Sequence, residues 1–147
     1  MFSFGLTKIL FQKITIRNLT ILSLLVSFLL GLLTKFYTGP AQFLVNNYVS
    51  SIPYETCWCL LFFWLIPTRK AVQQIPIWVF IVTCILEVLQ LWHPPFLELL
   101  RSNLLGKLIL GIQFDAWDFI AYVIGSFLGW LWLRQIWQIS YEKASQG

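Results

Sequence analysis

Residues 76–92 read PIWVFIVTCILEVLQLW, and this stretch decides the fold. It is apolar over most of its length, and Glu87 is its only side chain charged at neutral pH. At about 1.5 Å per residue such a run crosses most of a hydrocarbon core about 30 Å thick. A carboxylate at that depth costs about 2.5–3.5 kcal/mol on insertion scales at a helix centre. It persists where it has a partner, a proton or a wet cavity. Glu87 is therefore the first place to look for function.

Working outward, three further stretches have the same character: residues 18–34, charge-free between Arg17 and Lys35, residues 49–67, and residues 117–137 with Arg134 near the end. The chain has 147 residues, 59% hydrophobic and 11% charged, with a mean hydropathy of +0.77. A soluble domain of this size needs far more charged residues to cover its surface. The expected fold class is all-α: one polytopic four-helix membrane domain over residues 18–137, with spans near 18–34, 49–67, 76–92 and 117–137. Residues 1–17 mix apolar side chains with Lys8, Lys13 and Arg17 and should form a cytoplasmic interfacial helix. Residues 138–147 should be a cytoplasmic tail. The first span has the basic start of a signal peptide, but no A-x-A-like site follows it, so it reads as an uncleaved anchor.

Lys and Arg counts near the span ends set the orientation. With a cytoplasmic N-terminus, the inner segments carry Lys8, Lys13, Arg17, Arg69, Lys70, Arg134 and Lys143, and the outer ones only Lys35, Arg101 and Lys107. Seven against three places both termini in the cytoplasm. A pI near 9.1 has this same source, so nucleic acid is not an expected partner. Tryptophans divide into two belts, Trp58, Trp92 and Trp117 outside and Trp64, Trp78, Trp130, Trp132 and Trp137 inside. Cys57 and Cys59 lie about 200° apart around a helix and cannot easily share a metal. With Cys84 they read as small buried thiols. There is one histidine and no phosphate loop, HExxH or GxSxG motif, so no metal site, cofactor or catalytic residue is assigned.

Between the third and fourth spans, His93-Pro94-Pro95 ends a helix, and Phe96–Ile112 (FLELLRSNLLGKLILGI) follows. It carries Glu98, Arg101 and Ser102 on one face and Leu97, Leu100 and Leu104 on another. Too short and too charged to span, it is expected to lie at the outer interface or to re-enter the bundle. The unusual polar residues converge at this outer end. Glu87 and Gln90 share a helix face, with Glu87 about 7–8 Å below the boundary. Arg101 can reach it from above, Tyr122 from the next helix, and His93 and Asp118 flank the group. Glu87, Gln90, His93, Arg101, Asp118 and Tyr122 are the candidate ligand pocket.

Duller readings compete. Asp115 and Asp118 can simply cap the fourth span. His93 can be an interfacial histidine before a turn. Arg101 can pair with Glu98 in water. Glu55 lies close enough to the outer surface to snorkel into water. Gly125 and Gly129 form a GxxxG, the signature of close helix packing in the bundle or in a dimer.

The run Glu87-Val-Leu-Gln90-Leu-Trp-His93-Pro-Pro, then Arg101, then Asp115-Ala-Trp-Asp118-Phe-Ile-Ala-Tyr122-Val-Ile-Gly125-Ser-Phe-Leu-Gly129 resembles a small bacterial, cyanobacterial-type integral-membrane family of unknown function. That family is similar to the VanZ-like proteins, in which an E-x-x-Q helix, a loop arginine and a D-x-x-x-N-x-x-G-x-x-x-G helix recur. Glu87, Gln90, Arg101, Asp118, Gly125 and Gly129 match that pattern, and Tyr122 stands where an asparagine is usual. The resemblance implies a membrane bundle with an outward polar cluster, in a plasma or thylakoid-type bacterial membrane. It covers roughly residues 37–133.

Three function classes follow. The first is an outer polar pocket for a lipid headgroup or lipid-linked ligand, with membrane lipids as partners. The second is a structural or assembly subunit among other membrane proteins, using the GxxxG and the Trp-rich faces. The third is a membrane-embedded enzyme with Glu87 or Asp118 as acid or base, which no nucleophile–base pair supports. Transport ranks last, because paired discontinuous helices are missing.

Overall fold

The computed structural model describes residues 2–110 and 114–146. Every regular element among them is helical. In order they are α1 (Phe2–Lys35), α2 (Gln42–Leu44), a π-helical turn (Val45–Val49), α3 (Ser51–Leu65), α4 (Ala71–Leu89), α5 (Pro95–Ser102), α6 (Leu104–Leu110) and α7 (Asp118–Gln146).

Three of these, α1, α4 and α7, are long and apolar enough to cross a membrane. The α3 helix has 15 residues, about 22 Å, and falls short by itself. Its chain path is longer than that. The Ser50 N–H donates to Val45 O at 3.0 Å, a π-type bond. Ser50 itself is in the right-handed helical region. Gln42 to Leu65 is thus one helical path with a π-turn in it. The path starts at Ala41, whose φ of 59° turns the chain sharply.

Several boundaries differ from the expected ones. Residues 1–17 are not a separate interfacial helix. From Phe2 the chain is one 34-residue helix with the first span. Nothing at Arg17-Asn18 stops a helix, and the Thr15 and Thr20 hydroxyls donate back to the carbonyls of Phe11 and Ile16. Ile16, 1% exposed, is part of the buried core. The α4 helix begins at Ala71, not at Pro76, because Thr68 Oγ1 accepts from the Ala71 N–H at 3.2 Å. Pro76 lies inside the helix, where Val72 O loses its partner. The expected Phe96–Ile112 segment is two helices broken at Asn103, which is extended at ψ 151°. Gly106 backs onto the Leu100 carbonyl so closely that a side chain there has no room. Residues 111–113 lie outside the described ones. Residues 138–146 continue α7 rather than forming a separate tail.

The α3 helix is central, packed on α1, α7 and α4. Its buried stripe continues across α4 and α7 at helical spacing, and the stripe changes character along the bundle. At the end away from α5 and α6 it is mainly apolar, with Ile16, Leu60, Phe63, Val72, Leu133 and Ile136, and the buried Thr20 and Ser140 hydroxyls donate to their own helices. Toward α5 and α6 it becomes polar: Glu55, Thr56, Thr83, Glu87, Gln90 and Ser126. Leu22, Leu29, Leu33, Ile77, Ile85, Val88, Val123 and Phe127 are exposed meanwhile. A surface this apolar around a polar interior is consistent with a membrane protein.

Candidate functional site

Small residues on α7 create the site. Ala121, Gly125, Ser126 and Gly129 are buried against α3. A Cβ on Gly125 would lie 2.6 Å from Glu55 Cβ and 2.9 Å from Ile52 O. One on Gly129 would lie 3.0 Å from Cys59 Sγ. The GxxxG therefore faces α3 within the bundle. At this close approach Thr56 Oγ1 lies 3.2 Å from Gly125 O and 3.0 Å from Ile52 O of its own helix.

Glu87 is 1% exposed and faces the interior. Its Oε2 accepts from Tyr122 Oη at 2.9 Å and from Gln90 Nε2 at 3.2 Å. Its Oε1 accepts from the Asp115 N–H at 2.8 Å. Three donors from three places in the chain thus cover both oxygens, which is how a buried carboxylate is accommodated. Asp115 extends the network: Oδ2 accepts from Tyr48 Oη at 2.8 Å, and Oδ1 from the Trp117 N–H at 3.0 Å. Asp115 thus ties the π-turn to the start of α7 as well as capping locally.

Arg101 does not pair with Glu98 in water; it is buried, 8% exposed. Nor does it reach Glu87. Nη2 donates to Leu89 O at 2.9 Å and Nη1 to Trp92 O at 3.3 Å, with His93 Nδ1 3.2 Å from Nη1. The guanidinium caps the last turn of α4, sharing Leu89 O with the Trp92 N–H, which lies 3.1 Å from it. Its Nε has no partner, and neither has the buried Gln90 Oε1. His93 is exposed apart from this contact. Asp118, half-buried, accepts from Ser51 Oγ at 3.1 Å. The six candidate residues therefore fall into three hydrogen-bonded groups: Glu87 with Gln90 and Tyr122, Arg101 with His93, and Asp118 with Ser51.

Sequence reasoning missed the second buried carboxylate. Glu55 does not snorkel into water; it is 0% exposed. The π-turn extends the helical path beyond it, and Gly125 lets α7 close over it. Its Oε1 accepts from Ser126 Oγ at 2.7 Å and lies 3.2 Å from Thr83 Oγ1, and its Oε2 has no partner. Ser126 also lines a groove of about 480 Å³ between α4 and α7, together with Gln73, Pro76, Ile77, Phe80, Val123, Phe127 and Trp130. Thr83 lines a second, about 410 Å³, among Trp58, Phe62, Ile66, Ile75, Trp78, Val79, Val82, Leu86 and Ile109. Neither groove includes the Glu87 network. The one sequence signal for Glu55 was its place on the stripe 51, 55, 59 that the GxxxG packs against.

Comparison with curated proteins and with solved structures gives no match. Residues 40–126 run from the π-turn through Glu55, Glu87 and Arg101 to Ser126. They match the family described as "Protein of unknown function (DUF2809)", and with more than half its length covered the chain belongs to that family.

Proposed function

We propose that this chain is a four-span protein of a bacterial plasma or thylakoid-type membrane, with cytoplasmic termini, whose outer polar cluster binds the anionic headgroup of a lipid or lipid-linked ligand. The fourth span in this reading is the path Gln42–Leu65, about 36 Å long at helical rise. The α5–α6 pair lies at the outer interface. The likeness to VanZ-like proteins belongs to the same reading, with Tyr122 supplying to Glu87 the donor that an asparagine would supply elsewhere.

The observation that carries the reading is the state of Arg101. A buried guanidinium has only neutral acceptors around it, and among the described residues no carboxylate pairs with it. Its Nε and the nearby Gln90 Oε1 are bare. A buried charge without a counter-ion is costly, and an anionic group at this position offsets that cost. Arg101 would hold it, Gln90 would accept a hydroxyl or amine from it, and His93 and Asp118 would form the rim.

Native mass spectrometry of protein solubilised in mild detergent tests this directly. Anionic lipid should stay on the wild-type chain and be lost from Arg101→Lys, which keeps the charge but not the fork and its Nε donor. Equal retention by both overturns the site. Orientation has its own test. A cysteine introduced at Gln42 should react with an impermeant reagent from outside, and one at Gln73 should not. The reverse pattern would turn the cluster toward the cytoplasm. Copurification of a stoichiometric protein partner, with no lipid dependence on Arg101, would favour the assembly-subunit reading instead.

A further inference from the structure

We infer that Glu55 is a proton-binding site inside the bundle, a carboxylic acid connected to the α5–α6 end by a ladder of side chains on α7. Two independent observations carry this. The first is an unpartnered oxygen on a side chain that is fully buried: Oε2 of Glu55. The second is the hydrogen count at Thr83. Its hydroxyl has one hydrogen, yet its oxygen lies 3.0 Å from both Val79 O and Phe80 O and 3.2 Å from Glu55 Oε1. A helical threonine gives that hydrogen to its own i−3 or i−4 carbonyl. The Thr83 oxygen then faces Glu55 as an acceptor. A proton on Glu55 makes that contact a hydrogen bond, and without one two acceptors oppose each other.

The surroundings fit a proton rather than a larger cation. The titratable groups that act on Glu55 are acids, Tyr54 and Cys59 on its own helix and Cys84 on α4, and the bonded pair Glu87 and Tyr122 lies one turn farther along α4 and α7. Residues 18–34 of α1 contain no ionisable side chain. Among the described residues, side-chain oxygens bonded at this site come from Glu55, Thr83 and Ser126, short of the six or more that a hard metal ion takes. Access follows the α7 face. Asp118, Tyr122 and Ser126 are one turn apart, about 6 Å per step. They are bonded in turn to Ser51, Glu87 and Glu55. Ionisable and hydroxyl groups in such a file are the means by which protons reach buried sites in membranes.

This inference rests on the membrane-spanning reading but not on a headgroup at Arg101. Dicyclohexylcarbodiimide, which partitions into bilayers, tests it on the full chain in lipid vesicles. The reagent takes up the proton of a carboxylic acid on one nitrogen while the carboxyl oxygen bonds to its carbon. Rearrangement then leaves a stable adduct carrying the whole reagent's mass. Peptide mass spectrometry should find the adduct at Glu55 and not at Glu87, whose oxygens are already covered by three donors. Labelling should be lost in Glu55→Gln, slow as pH is raised, and be unchanged in Arg101→Lys. Infrared spectra of the same vesicles give a second reading. A protonated-carboxyl band that moves in D2O should vanish in Glu55→Gln and persist in Glu87→Gln. An unlabelled Glu55, an adduct at Glu87 instead, or a band that survives in Glu55→Gln overturns the proposal.

Discussion

Glu87 and Glu55 are buried one helical turn apart, since their partners Tyr122 and Ser126 are four residues apart on α7 and Thr83 is four residues before Glu87 on α4. Glu87 receives a phenol, an amide and a backbone N–H, one or more on each oxygen. Glu55 meets hydroxyls only, both at one oxygen. The Gln90 amide and the Asp115 main-chain N–H can only donate, one to each oxygen, so Glu87 is fixed as an acceptor. Hydroxyls donate or accept, so the Glu55 site can hold a proton or give it up without moving a helix. The same residue type, at neighbouring depths, thus makes a structural tie in one place and an adaptable site in the other.

The largest expected effect comes from closing the gap that Glu55 occupies. Gly125→Leu drives a side chain into Glu55 and the Ile52 carbonyl. It should cost about 3 kcal/mol or more and show as loss of a cooperative thermal transition in detergent. A transition kept at wild-type temperature would mean that α7 is not seated on α3. Next comes Glu87→Ala, which strands three buried donors. It should cost about 3 kcal/mol, measured by the same melting experiment.

The sharper comparison uses glutamine at both sites. Glu87→Gln puts an amide N–H2 against an existing donor on whichever side it turns, costing about 1–2 kcal/mol. Glu55→Gln keeps the acceptor for Ser126 and sets the amide at Oε2, where no donor opposes it, so it should cost less than Glu87→Gln. Equal losses would erase the distinction between the two sites. Smaller still, Tyr122→Phe should cost about 1.5 kcal/mol and Ser126→Ala about 1 kcal/mol. Exposed Glu98→Ala sets the floor and should stay within about 0.5 kcal/mol of wild type.

Much of this was legible in advance. A lone carboxylate in residues 76–92, with Gln90 one turn on, already required an inward face, because lipid offers it no partner. Gly125 and Gly129 required a close neighbour. Two things were harder to read. The fate of Arg101 was not legible, because it bonds mostly to main-chain carbonyls, which every residue has and no side-chain pattern reveals. Glu55 misleads because a position near the boundary does not by itself mean exposure, and the π-turn that extends its helix has no sequence signature of its own.

By itself, then, the sequence determined the helical class, the apolar exterior and the inward turn of Glu87, since these follow from composition and from the 3.6-residue period of a single helix. Only the tertiary structure decided which donors reach which carboxylate. Ser126 lies 71 residues from Glu55 and Tyr122 lies 35 from Glu87. Their meeting depends on how closely α7 approaches α3, a distance set by the absence of a side chain at Gly125 and by the packing of helices against one another.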